Sequence, residues 1–268
     1  MVMEAEASAS AGLLRTLKLV IAYDGTAYCG WQRQTNGPTI QAAIEDAFVP
    51  LLGDAPTVTG AGRTDTGVHA LGQVASVRIT SDLGVDAIRR ALNVRLAPDI
   101  RILSVKDAAP DFHARFAATG KTYRYRVVTS EIVSPFDRWF VWHLPTRLHL
   151  EAMRAAAAHL CGRHDFVVFQ SAHSSVTETV RTITRLDLHP TSDGFAAEVH
   201  GDGFLRHMVR AMLGTLVDVG AGRRDPDSMP SLLRSRTRHQ AGDTAPASGL
   251  TLVSVDYRPG VDFRDGTR

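Results

Sequence analysis

The hydrophobic pattern of this chain runs through one programme of strands and helices and then repeats it, and such a repeat narrows the possible architectures more than any single motif. Leu17, Leu19 and Ile21 alternate with Lys18, Val20 and Ala22 and run into Tyr23-Asp24-Gly25, which reads as a strand entering a turn. Ile40, Ile44, Ala47, Phe48 and Leu51 fall on one helical face, with Pro38-Thr39 as start signal and Gly53 as stop. Val58 leads into a glycine-rich loop, Gln73 to Ile79 reads as the strand leaving it, 84–93 as a short helix and 100–106 as another strand. In the second half, 121–128 is strand-like, 149–161 is an alanine-rich helix closed by Gly162, 180–189 and 194–200 form a strand pair, and 204–219 is an amphipathic helix. The expected fold class is α/β in the α+β sense: two halves, each an antiparallel sheet backed by helices. The expected division is a disordered tail at 1–14, an N-terminal domain at 15–113, a C-terminal domain at 114–258 and a tail at 259–268. The segment 222–249 is rich in Arg, Pro, Ser and Gly and reads mostly as loop with one short helix.

With 268 residues, each half can bury a core of its own. The formal net charge is only +2, but lysine occurs solely at 18, 106 and 121, so 27 of the 30 basic residues are arginine. Arginine makes bidentate contacts to phosphate and stacks on bases. Codon bias produces the same composition, so charge alone does not argue for nucleic acid. Cys29 and Cys161 make neither a disulfide framework nor a zinc site, and a reducing cytoplasm fits them. The first dozen residues lack the basic start and apolar core of a signal peptide. No apolar run approaches ~18 residues, so no membrane span is expected.

Three groups carry candidate chemistry. Asp65 stands in Gly60-Ala61-Gly62-Arg63-Thr64-Asp65-Thr66-Gly67-Val68-His69-Ala70, a lone carboxylate among small residues with Arg63 two positions before it. The three glycines keep the backbone open to a flat ligand. An Asx-turn aspartate holding a tight loop reads equally well. In Lys121-Thr122-Tyr123-Arg124-Tyr125-Arg126, Tyr123, Tyr125 and Lys121 share one strand face and Thr122, Arg124 and Arg126 the other. That pattern is either a base-stacking platform or an edge strand with tyrosines on a core. In 206–217, Met208, Val209, Met212, Leu213, Leu216 and Val217 form an apolar arc with Arg210 at its edge. An arginine there either has a carboxylate or phosphate partner or snorkels from a core margin. His69 and His207 read as surface or core-edge histidines, and no histidine pair has metal-ligand spacing.

Taken in order, these stretches resemble the tRNA pseudouridine synthase A family. The resemblance rests on Ala22-Tyr23-Asp24-Gly25-Thr26, Gly30-Trp31-Gln32-Arg33-Gln34, the Asp65 loop, Phe112-His113-Ala114-Arg115-Phe116, Tyr123-Arg124-Tyr125, His207-Met208-Val209-Arg210 and Ala245-Pro246-Ala247-Ser248-Gly249-Leu250. They span about residues 16 to 257. The stretch 171–177 and the arginine-rich loop after Gly222 depart from the family pattern. The resemblance implies two RNA-recognition-like domains related by a pseudo-twofold, a cleft between them, and a cytoplasmic homodimer that grips the tRNA from outside. It implies isomerisation of uridine to pseudouridine at positions 38, 39 and 40 of the tRNA anticodon arm. Position by position, it makes Asp65 the nucleophile, Arg210 its partner, Tyr123 the ring that stacks on the target uracil, Arg63 an RNA-proximal arginine and Leu250 a wall of the uracil pocket.

The reaction exchanges a C–N glycosidic bond for a C–C bond without net redox change or hydrolysis, so neither cofactor nor metal is expected. The carboxylate can add to ring carbon six, or attack or deprotonate the sugar, and each route needs Asp65 ionised, a state that a neighbouring arginine favours. Two other classes remain open: an RNA-binding module that has lost catalysis, and a glycoside hydrolase, which needs a second carboxylate.

Overall fold

Strand β1 (Leu14–Tyr23) sinks Leu17, Leu19 and Ile21 into the core, as its alternation requires. It is followed by helix α1 (Ile40–Leu52), β2 (Val58–Gly60), β3 (His69–Thr80), α2 (Val85–Arg95) and β4 (Ile100–Ala108). The second half supplies β5 (Ala118–Val128), the two-residue β6 (Trp142–His143), α3 (Leu150–Ala158), β7 (Gly162–Asp165), β8 (Val180–Pro190), β9 (Gly194–Gly201), α4 (Met208–Gly220), α5 (Met229–Ser235) and β10 (Leu250–Tyr257). The computed structural model describes residues 12–171 and 176–259. Of the tails expected at 1–14 and 259–268, residues 1–11 and 260–268 lie outside the described residues, as does the centre of the unusual stretch 171–177; Leu14 already belongs to β1.

The start and stop signals of α1 operate as read. The Thr39 hydroxyl accepts from the Ala42 N–H, and Gly53 closes the helix at φ 90°. Two other helix boundaries differ by three residues or more. Helix α3 ends at Ala158, three residues before the expected end, because residues from Gly162 onward pair with β8, Gly162 opposite Ile183. Helix α4 begins at Met208, not at 204, because His207 sits at φ 63°, a left-handed conformation that a helix cannot contain.

The strands form one ten-stranded sheet in the order β4-β1-β3-β10-β5-β9-β8-β7, with β2 beside β3 and β6 beside β5. The repeat seen in the sequence is a repeat of topology. The run β1-α1-β2-β3-α2-β4 lies in space as β4-β1-β3-β2, and β5-α3-β8-β9-α4-β10 lies as β10-β5-β9-β8. Each is a βαββαβ unit. They join where β10 runs parallel to β3, through Thr251 opposite His69 and Leu252 opposite Ala70. One continuous core runs through both units, from Leu19, Ile44 and Phe48 to Tyr125, Met212 and Leu216. A smaller cluster of Ala61, Val74, Ala108, Phe112 and Ala114 packs separately. No helix among the described residues is long and apolar enough to cross a membrane.

Candidate active site

The loop between β2 and β3 carries Asp65, and its shape is imposed by the segment 23–31. The Trp31 N–H donates to the Thr64 carbonyl at 3.1 Å, and the Gly67 N–H donates to the Tyr28 carbonyl at 3.4 Å. The Tyr23 hydroxyl meets the Thr64 hydroxyl at 2.9 Å. Burial pushes the Tyr23 phenol up to about 12, so it stays protonated. Gly30, at φ 86°, lies so close to the loop that a Cβ would stand 2.5 Å from the Thr64 carbonyl oxygen. Gly25 is tighter still, with a Cβ position 2.0 Å from the Val68 carbonyl oxygen. The Gly25 N–H donates to His69 Nδ1 at 3.1 Å, and His69 Nε2 lies 2.9 Å from the Trp139 carbonyl. Burial pulls the His69 pKa below its ordinary value, which keeps the ring neutral for these two bonds.

Gly60 plays a part other than the expected one. Its missing side chain makes room for the Trp31 indole, 2.6 Å from the Cβ position, rather than for a ligand.

Arg63 is aimed by a relay of amides. Its Nε donates to Gln32 Oε1 at 3.0 Å, Gln32 Nε2 donates to Gln41 Oε1 at 2.7 Å, and Gln41 Nε2 donates to Glu45 Oε1 at 2.8 Å. Glu45 is buried and also accepts from the Val58 N–H and from Arg33. The Gly-Trp-Gln-Arg-Gln stretch thus braces both the aspartate loop and its arginine.

The opposite wall comes from the second unit. Arg210, in the first turn of α4, places Nη1 3.4 Å from Asp65 Oδ2, across 145 positions of sequence. Its Nε donates to the Ala245 carbonyl at 2.7 Å, and the Ala245 N–H donates back to the Arg210 carbonyl. The arginine side chain is 15% exposed and the aspartate 24% exposed, so the pair is shielded but open to a ligand. His207, which sequence reading passed over, places Nε2 3.6 Å from the same Oδ2. Burial lowers its pKa, Asp65 raises it, and Arg210, Arg206 and Arg238 lower it further; the ring is neutral at neutral pH. Periodicity gave no warning of this contact, because the left-handed turn at 207 redirects the side chain before the helix begins.

Tyr123 on β5 and Leu250 at the start of β10 complete the cleft, which is also lined by Arg63, Thr64, Val68, Met208 and Val209. All five residues singled out in the sequence therefore line one cleft. Tyr123 is buried, packs edge-on to Phe204 at 5.2 Å, and has its phenol pKa raised by burial, then by Tyr23 and Asp65. Of the two tyrosines on this face of β5, Tyr123 lines the cleft and Tyr125 does not. Tyr125 is sealed under Gly249, donates to the Pro246 carbonyl and packs on Trp142. The arginines on the other face of β5 are paired, Arg124 with Glu198 and Arg126 with Asp137. Among the described residues, no group of three His, Cys, Asp or Glu side chains is placed to hold a metal ion.

Comparison with known proteins places the chain in a family. Residues 19–117 and 156–258 match the family described as tRNA pseudouridine synthase. The chain belongs to that family. Proteins named tRNA pseudouridine synthase A are similar over nearly their whole length. The one from Myxococcus xanthus is 46% identical, covering 92% of this chain and 94% of that protein. The one from Acetivibrio thermocellus is 45% identical, covering 91% and 100%. That of Syntrophotalea carbinolica is 43% identical, covering 92% and 98%. As a pseudouridine synthase the chain is an isomerase, and the two family-matched stretches contain both walls of the cleft, Asp65 in the first and Arg210 in the second.

Proposed function

We propose that this enzyme converts uridine to pseudouridine at positions 38, 39 and 40 in the anticodon stem-loop of tRNA, with Asp65 as nucleophile. The observation that carries the reading is the Asp65 carboxylate facing Arg210, beside a buried tyrosine ring and an apolar wall. In the reaction the bond from ring N1 to the ribose breaks, the detached base turns, and ring C5 bonds to the same ribose carbon. The C5 proton leaves and N1 regains one, so atoms balance with no other reactant.

Each side chain has a task in that sequence. Asp65 adds to the ring or acts at the sugar, and the Arg210 guanidinium, 3.4 Å away, pairs with it and holds its orientation. The target base must leave its stack at a cost of a few kcal/mol. Stacking on Tyr123 returns about 1–3 kcal/mol of this, and Leu250 closes the other side of the pocket. A phenol held protonated cannot compete with Asp65 as a base. With Nε of Arg63 committed to Gln32, its terminal nitrogens are left for the RNA strand. The proposal extends to the catalytic unit at 15–113 and its partner at 114–258, working as a homodimer in the cytoplasm.

The test is to incubate the protein with unmodified tRNA carrying uridine at these three positions and to map pseudouridine by chemical labelling. Label at 38, 39 and 40 is the expected result. Label elsewhere overturns the site assignment, and release of free uracil overturns the isomerisation in favour of hydrolysis.

A further inference from the structure

Lys121 lies two residues before Tyr123 on the same face of β5. Its side chain passes over the aspartate loop. A Cβ on Gly62 would stand 3.3 Å from the lysine Cε and 3.6 Å from Nζ, so glycine at 62 leaves the space the lysine uses. The ammonium is shielded by protein, and among the described residues it has no hydrogen bond and no ion pair. The charges acting on it are unbalanced. Among the described residues Arg115 and Arg181 repel it and Asp202 alone attracts it. Asp202 is itself occupied, accepting from the Thr182 N–H, and Arg181 donates to the Val180 carbonyl. Arg115 lies over the Phe116 ring at 5.6 Å.

A shielded cation crowded by two others is a cost in the free protein. Burial first, then the two arginines, pull the Lys121 pKa below that of an ordinary lysine. Lys18, by contrast, sits over the rings of Tyr257 and Phe112. An arrangement that stays unbalanced until an anion arrives is the signature of a binding site, not of a structural pair.

We propose that Lys121, flanked by Arg115 and Arg181, is a seat for one backbone phosphate of the RNA, beside the aspartate loop. The chemistry selects a phosphodiester. A compact, strongly charged ammonium serves phosphate as a point charge. The place of Lys121, against Gly62 and two residues before Tyr123, puts that phosphate in the nucleotide whose base reaches the cleft, or in its neighbour. Phosphate binding there fixes the backbone while the base swings out. The proposal rests on the RNA-modifying role proposed above.

The experiment compares wild type, Lys121→Met and Lys121→Arg in the full-length protein. Thermal midpoints are measured without RNA, and affinity for an unmodified anticodon-arm RNA is measured across a salt series. Lys121→Met is expected to unfold at a higher temperature than wild type, because it removes a crowded charge. It is also expected to bind RNA about tenfold more weakly, with the slope of log affinity against log salt smaller by about one. Lys121→Arg is expected to keep the slope. An unchanged slope in Lys121→Met overturns the seat, and so does a lowered thermal midpoint, since the lysine would then be structural. Lys121→Gln, polar and uncharged, repeats the slope measurement without adding apolar volume, and an unchanged slope there overturns the seat equally. Failure of the wild type to form pseudouridine in this RNA would count against the reaction instead, and the slopes would still decide the seat.

Discussion

Asp65 stands on a loop whose backbone is tied at almost every step: Thr64 to Trp31, Asp65 to Val68, Gly67 to Tyr28, with Gly25 and Gly30 pressed against it. Arg210 reaches the same point from the rigid first turn of α4, with its guanidinium guided by a single carbonyl, that of Ala245. One wall of the cleft is therefore fixed through its backbone, the other through the side chain of a stiff element. The difference matches the tasks proposed for the two walls. A nucleophile tolerates little positional error, whereas a flexible cationic side chain can follow the carboxylate as the substrate enters.

The comparison makes predictions of decreasing size. Asp65→Asn keeps the shape of the side chain and the ties of the loop but removes the proposed nucleophile. Turnover is expected to vanish with folding and tRNA binding nearly intact, and activity within tenfold of wild type would contradict the assignment. Arg210→Ala leaves the backbone frame untouched. It removes a charged contact worth about 1.5–3 kcal/mol, so single-turnover rates at saturating enzyme should fall roughly ten- to a hundredfold. If affinity fell instead and the rate held, Arg210 would be a phosphate ligand, and the contrast between the walls would fail.

Gly30→Ala attacks the frame without touching a chemical group. A side chain at φ 86°, with its Cβ 2.5 Å from the Thr64 carbonyl, must push the loop away. A stability loss of about 1–3 kcal/mol is expected, together with a several-fold slower rate in the fully folded variant. A variant as stable and as fast as wild type would show that the loop does not need this frame.

The smallest effect concerns protons. His69 behind the loop and His207 on the opposite wall both have pKa values held below the ordinary histidine value by burial. The unfolded chain takes up these protons at about pH 6.5, and the folded chain only at lower pH. Their contribution to stability is thus present above that value and lost as pH falls through and below it. His207→Asn, which tolerates the left-handed backbone, should flatten part of this loss. Denaturant unfolding from pH 7.5 to 5.5 measures it, and an unchanged slope would mean that Asp65, Arg206, Arg210 and Arg238 already balance the imidazole.

The two walls also differ in how plainly the sequence announces them. The alternation at 17–22 and the Thr39 and Gly53 signals located β1 and α1 because local chemistry decides them. Asp65 was legible because a loop held through its backbone needs a run of unusual residues, and such runs stand out. The partner role of Gln32 was not legible, since a relay ending at buried Glu45 joins residues that share no periodicity. The start of α4 falls four residues after the expected one because no hydropathy pattern records the left-handed backbone at His207. The separate fates of Tyr123 and Tyr125 lay beyond reach for a related reason. They share one face of β5, and only the crossing of 246–249 decides which one is sealed.

The placing of β10 bears on how the molecule comes into being. The strand connecting the two units is the last in the order of synthesis, yet it stands in the middle of the sheet. A nascent chain can zip β4, β1 and β3 together while its second half is still being made, but β3 must wait with an open edge at His69 and Ala70. Until residues 250–257 leave the ribosome, that edge has no partner, and Leu250 cannot close the pocket beside Asp65. The cleft between Asp65 and Arg210 is therefore among the last features to form, and a chain that stops short of β10 carries an exposed strand edge in its place.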